Sequence, residues 1–232
     1  MTERWKRYIT EGIEAAGGPV PFALTHWAYL DPIHQAMRRA LPYGGKVLDV
    51  GCGAGIFTAL LAHHGFEAVG IDEDPDIVAY AKEMVAYLRS PARIEQGEAF
   101  DLAMYAGQFD LVYSVGVVEH FEPSVTVRLI EEQARCGHFV LVAVPTQHTR
   151  YAAPVTDERL YRRCQVNALV RRAGLRVRES FVFGDLPTRL AVNLQRCLPK
   201  VLYRGLRHFW TYGMSICCVG EGRPQDGDRH PR

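Results

Sequence analysis

The sequence predicts a doubly wound α/β fold with a seven-stranded, mostly parallel sheet. Two observations support this prediction: short apolar runs alternate with helical segments between residues 44 and 184, and proline and glycine mark where the helices begin and end. Short apolar runs separated by helices are typical of strands that are buried on both faces of a parallel sheet. The clearest runs are 47–50 (VLDV), 68–71 (AVGI), 111–115 (LVYSV) and 139–144 (FVLVAV).

Capping residues indicate the helices between these strands. A proline at the first helical position, after an acidic residue that can cap the helix, predicts a helix start. Gly65 and Gly174 predict the ends of helices over 54–64 and about 157–173, because glycine readily adopts the left-handed conformation that ends a helix. The predicted starts are Asp31-Pro32, Asp74-Pro75 and, with a weaker cap, Glu122-Pro123.

The two ends of the chain differ from this centre. The amino-terminal part reads as helices broken at Gly17-Gly18-Pro19. The last two predicted strands, about 175–184 and 212–220, are separated by a segment that is much longer than a hairpin needs, and we expect it to form a lid. The predicted organisation is an amino-terminal helical cap (1–44), a central domain (45–220) with a helical lid insert (about 185–211), and a disordered tail (221–232).

Composition excludes several classes of protein. The formal net charge is +1, whereas a dedicated nucleic-acid-binding protein usually has a strong basic excess. The polar start of the chain lacks the apolar core of a signal peptide, and no apolar run approaches the roughly 20 residues that span a bilayer. The six cysteines lack paired spacing and read as reduced thiols. We therefore expect a cytoplasmic protein with no nucleic-acid partner and no stable membrane insertion.

The strongest motif is VLDVGCGAGI at 47–56, in which a buried strand leads into a helix through three glycines. These glycines permit a tight turn and a close approach of a ligand to the backbone. Dinucleotide-binding enzymes use a similar turn with the spacing G-x-G-x-x-G, but Ile56 stands where that pattern needs Gly or Ala. Asp49 also argues against a bound pyrophosphate, which its carboxylate would repel, and it suits the ammonium group of a methionine moiety.

A second carboxylate follows the next predicted strand. Asp72 ends the segment VGID, where its oxygens can accept hydrogen bonds from both hydroxyl groups of a ribose. This feature indicates an adenosine-containing ligand. On its own it does not distinguish a nicotinamide dinucleotide from S-adenosylmethionine (SAM).

The chain resembles the class I SAM-dependent methyltransferases, particularly the enzymes of quinone biosynthesis and many natural-product tailoring enzymes. The resemblance covers residues 44–145 densely and extends more loosely to about 184. It implies the Rossmann-like methyltransferase fold, SAM as the methyl donor and S-adenosylhomocysteine (SAH) as the product. The matching segments, in the family's order and approximate spacing, are VLDVGCGAG, VGIDEDP, QGEAFDL, FDLVYSVGVVEHF and FVLVAVP.

The resemblance also implies roles for individual residues. Asp49 and the loop 51–55 would hold the methionine portion of SAM, and Asp72, with Glu73 beside it, would hold the ribose. Glu98 stands where the family more often has Asp and would meet the adenine amine. The full set of implied cofactor-binding residues is Asp49, Gly51, Cys52, Gly53, Gly55, Asp72, Glu73, Glu98, Ala99 (through its backbone amide) and Ser114.

The candidate catalytic residues are His120 and His148. Each follows a predicted strand, and ligands in such sheets bind beyond the carboxyl ends of the strands. His120 is a candidate general base, and the alternative is that it orients the loop together with Glu119. His148 and Tyr151 are expected to face the substrate. Some relatives bind a divalent metal through E-x-x-E-H, but Gly116 replaces the first glutamate here, so no metal is expected.

These observations predict methyl transfer to a small molecule, with an oxygen acceptor slightly favoured over nitrogen or carbon. The near-zero net charge, the absence of an added nucleic-acid-binding module and the lid segments favour a small acceptor. Three alternatives stay open: an NAD-dependent oxidoreductase, a noncatalytic SAM-binding protein, and a methyltransferase that acts on protein or RNA. Many methyltransferases that act on nucleic acids or proteins have an N/D-P-P-Y/F motif after the fourth strand. This chain has SVGVVEHF there, which disfavours the protein or RNA alternative.

The stretch 186–208 is rich in Leu and Arg and has amphipathic character. It predicts a lid helix or a homodimer contact. Attachment to a membrane surface is the remaining alternative.

Overall fold

The computed structural model describes residues 2–149, 158–186, 193–194, 196–210 and 212–222, and within these ranges seven strands form one sheet. In chain order the strands are β1 (Lys46–Val50), β2 (Glu67–Asp72), β3 (Arg93–Gln96), β4 (Phe109–Val115), β5 (Gly137–Pro145), β6 (Arg176–Phe183) and β7 (Ser215–Glu221).

The strands lie in the order β3-β2-β1-β4-β5-β7-β6. Among the described strands, β7 alone runs in the direction opposite to the other six, and this confirms the predicted seven-stranded, mostly parallel sheet. The strand order reverses at β1, which lies between β2 and β4. In open α/β sheets, ligands bind at such a point, beyond the carboxyl ends of the parallel strands. The edge where β1, β2, β4 and β5 end is the carboxyl edge of the sheet.

Helices cover both faces of this sheet. The described helices are α1 (Thr2–Ala16), α2 (Pro19–Ala40), α3 (Ile56–His63), α4 (Pro75–Tyr87), α5 (Pro123–Cys136), α6 (Arg163–Arg172) and α7 (Lys200–Trp210). On the first face, α2 and α3 pack through residues such as Ile33 and Leu61 against Leu141 of β5, and α4 packs beside α3. On the second face, α5 and α6 pack through residues such as Ile130 and Val170. No helix within the described ranges is both long enough and apolar enough to cross a membrane.

Two of the three predicted helix starts are confirmed and the third is wrong. α4 begins at Pro75 and α5 at Pro123, whereas Pro32 lies inside the continuous helix α2. A proline inside a helix removes one backbone hydrogen bond and costs about 3 kcal/mol. Burial offsets this cost, because Leu30 and Ile33, on either side of Pro32, are only 2% and 0% exposed.

Two helix boundaries in the central domain also differ from the prediction. The helix predicted over 54–64 begins at Ile56, because the glycine-rich loop occupies the preceding residues. The helix predicted over about 157–173 begins at Arg163. The reason is that Tyr161 is held in an isolated β-bridge with Thr146, just beyond the end of β5.

The cap, the lid and the tail are described to different extents. The predicted break in the cap is confirmed between α1 and α2. Of the predicted lid insert, the structure describes α7 and short flanking stretches. Glu221, predicted as the start of a disordered tail, is the last residue of β7 because it pairs with Phe139 of β5. The rest of that tail, 223–232, lies outside the described residues.

Candidate active site

The glycine-rich loop between β1 and α3 lies at the carboxyl edge and is anchored to β2. The N–H groups of Gly51 and Cys52 both donate to the Ile71 carbonyl, each at 2.9 Å. Gly51 has a φ of +76°, and a Cβ at this position would lie 2.6 Å from Val117 Cγ2. Glycine is therefore needed here both for the backbone conformation and for the close approach of the chain after β4.

Gly51→Ala is expected to destabilise the protein more than the same change at Gly107. Gly107 has a φ of +67°, and a Cβ there would meet no atom within 4 Å. Both substitutions carry the cost of a left-handed backbone, roughly 1–2 kcal/mol. Only at Gly51 must Val117 also move, which adds about 1–3 kcal/mol. Urea unfolding measures the two losses, and equal losses would show that the loop accepts a side chain at Gly51.

Asp72 joins the end of β2 to the glycine-rich loop. Its Oδ2 accepts a hydrogen bond from the Gly53 N–H at 3.1 Å, and its Oδ1 accepts one from the Asp74 N–H at 3.2 Å. The side chain is half-buried, and burial raises its pKa above the ordinary value. Because a carboxylate oxygen can accept more than one hydrogen bond, both oxygens retain acceptor capacity. This geometry fits a ligand with two adjacent hydroxyl groups.

Asp49 lies beneath the glycine-rich loop. Its side chain is 5% exposed, and its Oδ2 accepts a hydrogen bond from Thr58 Oγ1 at 2.6 Å. Burial raises the pKa of Asp49 to about 7, and the negative charge of Asp72 acts in the same direction. A cation bound at the loop would favour the ionised form of Asp49. The two carboxylates therefore suit a positively charged ligand better than a pyrophosphate.

Three other predicted cofactor residues lie beyond the ends of β2 and β3. Glu73 and Glu98 are exposed and Ala99 is half-buried. Burial, and next the negative charge of Glu98, raises the pKa of Glu73, so the two carboxyl groups are close enough to interact. Glu98 Oε1 also accepts a hydrogen bond from the Phe100 N–H at 3.2 Å. The structure thus brings Glu73 and Glu98 together at the edge of the sheet.

Cys52 and Ser114 occupy less accessible places. Cys52 packs over Gly70, where an added Cβ would lie 2.8 Å from Cys52 Cβ, and burial raises the pKa of its thiol far above the ordinary value. Ser114 is 1% exposed near the end of β4, and its hydroxyl has no hydrogen-bond partner among the described residues. An unsatisfied buried hydroxyl costs roughly 1–3 kcal/mol. A polar ligand atom at Ser114 Oγ would remove that cost.

The two candidate catalytic histidines both follow strands at the carboxyl edge. His120 ends the short 3₁₀ helix Val118–His120 after β4 and is half-buried. His148 follows β5, where its N–H donates to Thr146 Oγ1 at 3.0 Å and its ring lies 5.4 Å from that of Tyr212. Tyr151 lies outside the described residues. Within the described part of the chain, no group of three or more His, Cys, Asp or Glu side chains is arranged to hold a metal ion.

Glu119, beside His120, is a buried acid. Its side chain is 3% exposed, and its Oε2 has no hydrogen-bond partner in the described ranges. Burial raises the pKa of Glu119 to about 8, and the negative charge of Glu158 contributes. The carboxyl group is therefore mostly protonated at neutral pH. Nothing in the sequence signals this burial, because a glutamate that follows a strand is usually exposed.

Glu119→Gln is expected to flatten the dependence of stability on pH. The folded protein keeps the Glu119 proton up to pH of about 8, whereas the unfolded chain loses it near the ordinary value of 4.5. The free energy of unfolding should therefore fall as the pH rises between these values, by at most about 1.4 kcal/mol per pH unit from this group, and level off above them. Urea unfolding of wild type, Glu119→Gln and the exposed control Glu83→Gln between these limits measures this. Because Asp49 contributes a slope of its own below pH of about 7, the test is the difference between the proteins, and a slope as steep in Glu119→Gln as in wild type would contradict the assignment.

Comparison with known proteins supports a methyltransferase domain. Residues 47–137 match the family model described as a methyltransferase domain. The magnesium-protoporphyrin O-methyltransferase of Rhodobacter capsulatus is 28% identical over 125 residues, which cover 52% of this chain and 55% of that protein. A ubiquinone biosynthesis O-methyltransferase of Azorhizobium caulinodans is 35% identical over 87 residues, or 38% of this chain and 34% of that protein. The matched region thus spans about half or less of each relative.

The likeness in fold extends further along the chain. The magnesium protoporphyrin IX methyltransferase of Synechocystis PCC 6803, solved with bound SAH, gives a TM-score of 0.63 at 14% identity and covers 96% of this chain and 94% of its own. At this identity the comparison shows the fold alone. Residues 47–137, which include the glycine-rich loop, therefore match a methyltransferase domain, and the fold of the chain is similar to that of a methyltransferase solved with SAH.

Proposed function

We propose that this protein transfers the methyl group of SAM to an oxygen atom of a small-molecule acceptor and releases SAH. The observation that carries the proposal is the glycine-rich loop bonded to Asp72, with the carboxyl group of Asp49 beneath it. The names of the two curated relatives add support, because both are O-methyltransferases, one of magnesium protoporphyrin and one of ubiquinone biosynthesis.

The charges and hydrogen-bond acceptors of the residues at the carboxyl edge support SAM as the ligand. SAM supplies a methyl group that its positively charged sulfur already activates. Asp72 would accept hydrogen bonds from both ribose hydroxyls, and Glu98 would lie towards the adenine. Gly51 keeps the loop free of a side chain where the methionine portion would approach. Asp49 would offset positive charge from below the loop, since its pKa of about 7 allows ionisation at neutral pH.

For the transfer itself, the protein has to hold the acceptor oxygen in line with the methyl group and exclude water. Positioning of this kind can lower a barrier by roughly 7–11 kcal/mol. His120 follows β4, the neighbour of β1, where the strand order reverses, and is proposed to accept the proton of the acceptor hydroxyl. Glu119 beside it stays mostly protonated, so it adds little negative charge to the site.

The test of this function uses the whole chain with methyl-labelled SAM and an extract of host cells. Label in a small metabolite is expected, and its mass would begin to identify the acceptor. Label in protein or RNA would contradict the small acceptor. SAM binding without any transfer would favour a noncatalytic protein, and binding of a nicotinamide dinucleotide in place of SAM would favour an oxidoreductase. The predicted cytoplasmic location and homodimer are separate proposals, which cell fractionation and light scattering test.

His120→Asn is expected to lower the rate of methyl transfer by a factor of about 10² to 10⁴, because a hydroxyl acceptor would lose its general base. The Kd for SAM should stay within about twofold of wild type, since a base acts on the acceptor. The matched variant His148→Asn should lose less than about tenfold. Both effects are measured by single-turnover rates with the acceptor that the labelling experiment identifies, together with calorimetric titration of SAM. Full activity in His120→Asn would show that His120 is not the general base.

A further inference from the structure

Helix α7 presents an exposed apolar side to solvent. Val201, Leu202 and Phe209 are 79%, 59% and 80% exposed. Leu202 and Phe209 are seven residues, or about two turns, apart and therefore lie on the same side of the helix, with Val201 next to them. Tyr203 is buried, and its hydroxyl donates a hydrogen bond to Asp185 Oδ1 at 3.3 Å. One side of α7 is thus fixed to the domain, and another leaves large apolar side chains in contact with water.

The sequence around α7 contains basic residues and no acidic ones. Between Leu186 and Gly220 there is no Asp or Glu, although the whole chain has a formal charge of only +1. Because this segment carries five positive charges, the remainder of the chain carries −4. Arg196, four residues before α7, and Lys200, its first residue, have exposed side chains. The five basic residues are Arg189, Arg196, Lys200, Arg204 and Arg207.

The start of α2 adds apolar side chains at the same edge of the sheet. Tyr29 of α2 forms a hydrogen bond of 2.7 Å between its hydroxyl and that of Ser215, the first residue of β7. Since β7 is antiparallel to β5, Ser215 pairs with Pro145 at the carboxyl edge. Val20 and Leu24, which precede Tyr29 in α2, are 47% and 63% exposed. Two helices therefore expose apolar side chains at the edge that holds the candidate active site.

We propose that α7 and the start of α2 form a docking surface for the headgroup region of an anionic lipid bilayer. A basic segment alone would suit any polyanion. Exposed Val, Leu and Phe side chains on a helix with neighbouring Lys and Arg favour a lipid surface, because the apolar side can enter the acyl boundary while the cations meet anionic headgroups. Docking in this way places the opening of the candidate active site against the bilayer. The proposal does not depend on the methyl-transfer reaction.

Co-sedimentation of the whole chain with large unilamellar vesicles tests this surface. Vesicles of phosphatidylcholine with about 30% phosphatidylglycerol are expected to bind the protein at least tenfold more strongly than phosphatidylcholine alone, and raising the salt from about 0.1 M to about 0.5 M should weaken the binding. Leu202→Asp and Lys200→Glu should each lower the partition coefficient at least about fivefold.

Matched variants at the opposite edge of the sheet are the controls. Tyr87, at the end of α4, is 59% exposed, as Leu202 is, and Arg172 ends α6 with an exposed side chain. Tyr87→Asp and Arg172→Glu should bind vesicles as wild type does, and SAM titration verifies that every variant is folded. Equal binding to neutral and anionic vesicles, an equal loss in Tyr87→Asp and Leu202→Asp, or binding to RNA without binding to vesicles would each overturn the proposal.

Discussion

Asp72→Ala is expected to weaken SAM binding by a factor of at least about 100. The proposed complex places two ribose hydroxyls on this carboxylate, and a hydrogen bond to a charged group contributes roughly 1.5–3 kcal/mol. Two such bonds correspond to about 100-fold or more in Kd. The substitution also removes the acceptor of the Gly53 N–H, which lies 3.1 Å from Asp72 Oδ2 and helps to fix the loop. Calorimetric titration of SAM measures the loss.

Asp110→Ala provides a matched control for Asp72→Ala. Asp110 Oδ2 accepts the Lys46 N–H at 2.7 Å, so it also holds a backbone N–H, but it does so at the start of β1. Both variants should lose stability, and only Asp72→Ala should lose affinity for SAM. Wild-type affinity in Asp72→Ala would contradict the ribose assignment. An equal loss of affinity in both variants would mean that a general loss of structure explains the result.

The sheet and the loop could be predicted from the sequence because their signals are local. The run 139–144 is apolar throughout, and 111–115 is apolar except for Ser114, as is typical of strands buried on both faces. The observed β4 adds two residues at the amino end of its run, and β5 adds two at the amino end and Pro145 at the carboxyl end. The signal of the glycine-rich loop is equally local, since a backbone with positive φ favours glycine at Gly51, Gly53 and Gly55. Pro32 shows the limit of such signals, because packing of its neighbours in the core outweighs the local preference of proline to begin a helix.

The environments of the acidic residues could not be predicted because distant parts of the chain create them. The resemblance implies that Asp49 helps to hold the methionine portion of SAM, but the sequence does not indicate that Thr58 of α3 donates a hydrogen bond to its side chain. The buried Glu119 is in contact with a segment about forty residues later in the chain. Its backbone carbonyl accepts a hydrogen bond from the Arg159 N–H at 2.9 Å. Only the folded arrangement brings these groups together, and it decides which carboxyl groups are ionised at neutral pH.

Asp49→Asn is expected to raise the stability of the protein without SAM. The pKa of Asp49 is about 7 in the folded protein against an ordinary value of 3.8, so the unfolded chain releases this proton at lower pH than the folded protein does. Asp49 therefore lowers the free energy of unfolding as the pH rises from about 4 to about 7, and the full cost, at most about 4 kcal/mol, is present above that range. Asparagine removes the charge but buries an amide group that needs hydrogen bonds. We therefore expect the free energy of unfolding to increase by about 1–2 kcal/mol at pH of about 8.

The same substitution should weaken SAM binding, because the ionised carboxylate that destabilises the empty site attracts the positively charged cofactor. In wild type the affinity should increase as the pH rises through about 7, with release of the Asp49 proton. In Asp49→Asn this rise should disappear, and at pH of about 8 the Kd should be at least about tenfold higher. Binding titrations of SAM at several pH values compare the two proteins. Because protonation of SAM itself affects both proteins equally, it cancels in the difference between them.

Thr58→Val provides the control that separates charge from packing. The Thr58 hydroxyl stabilises the ionised form of Asp49, so its removal should raise the pKa of Asp49 and move the increase in SAM affinity to higher pH without abolishing it. A pH dependence that is the same in wild type, Thr58→Val and Asp49→Asn would show that Asp49 is only a structural residue. If stability and affinity change in opposite directions in Asp49→Asn, the buried carboxyl group is retained for the cofactor, because it makes the empty fold less stable.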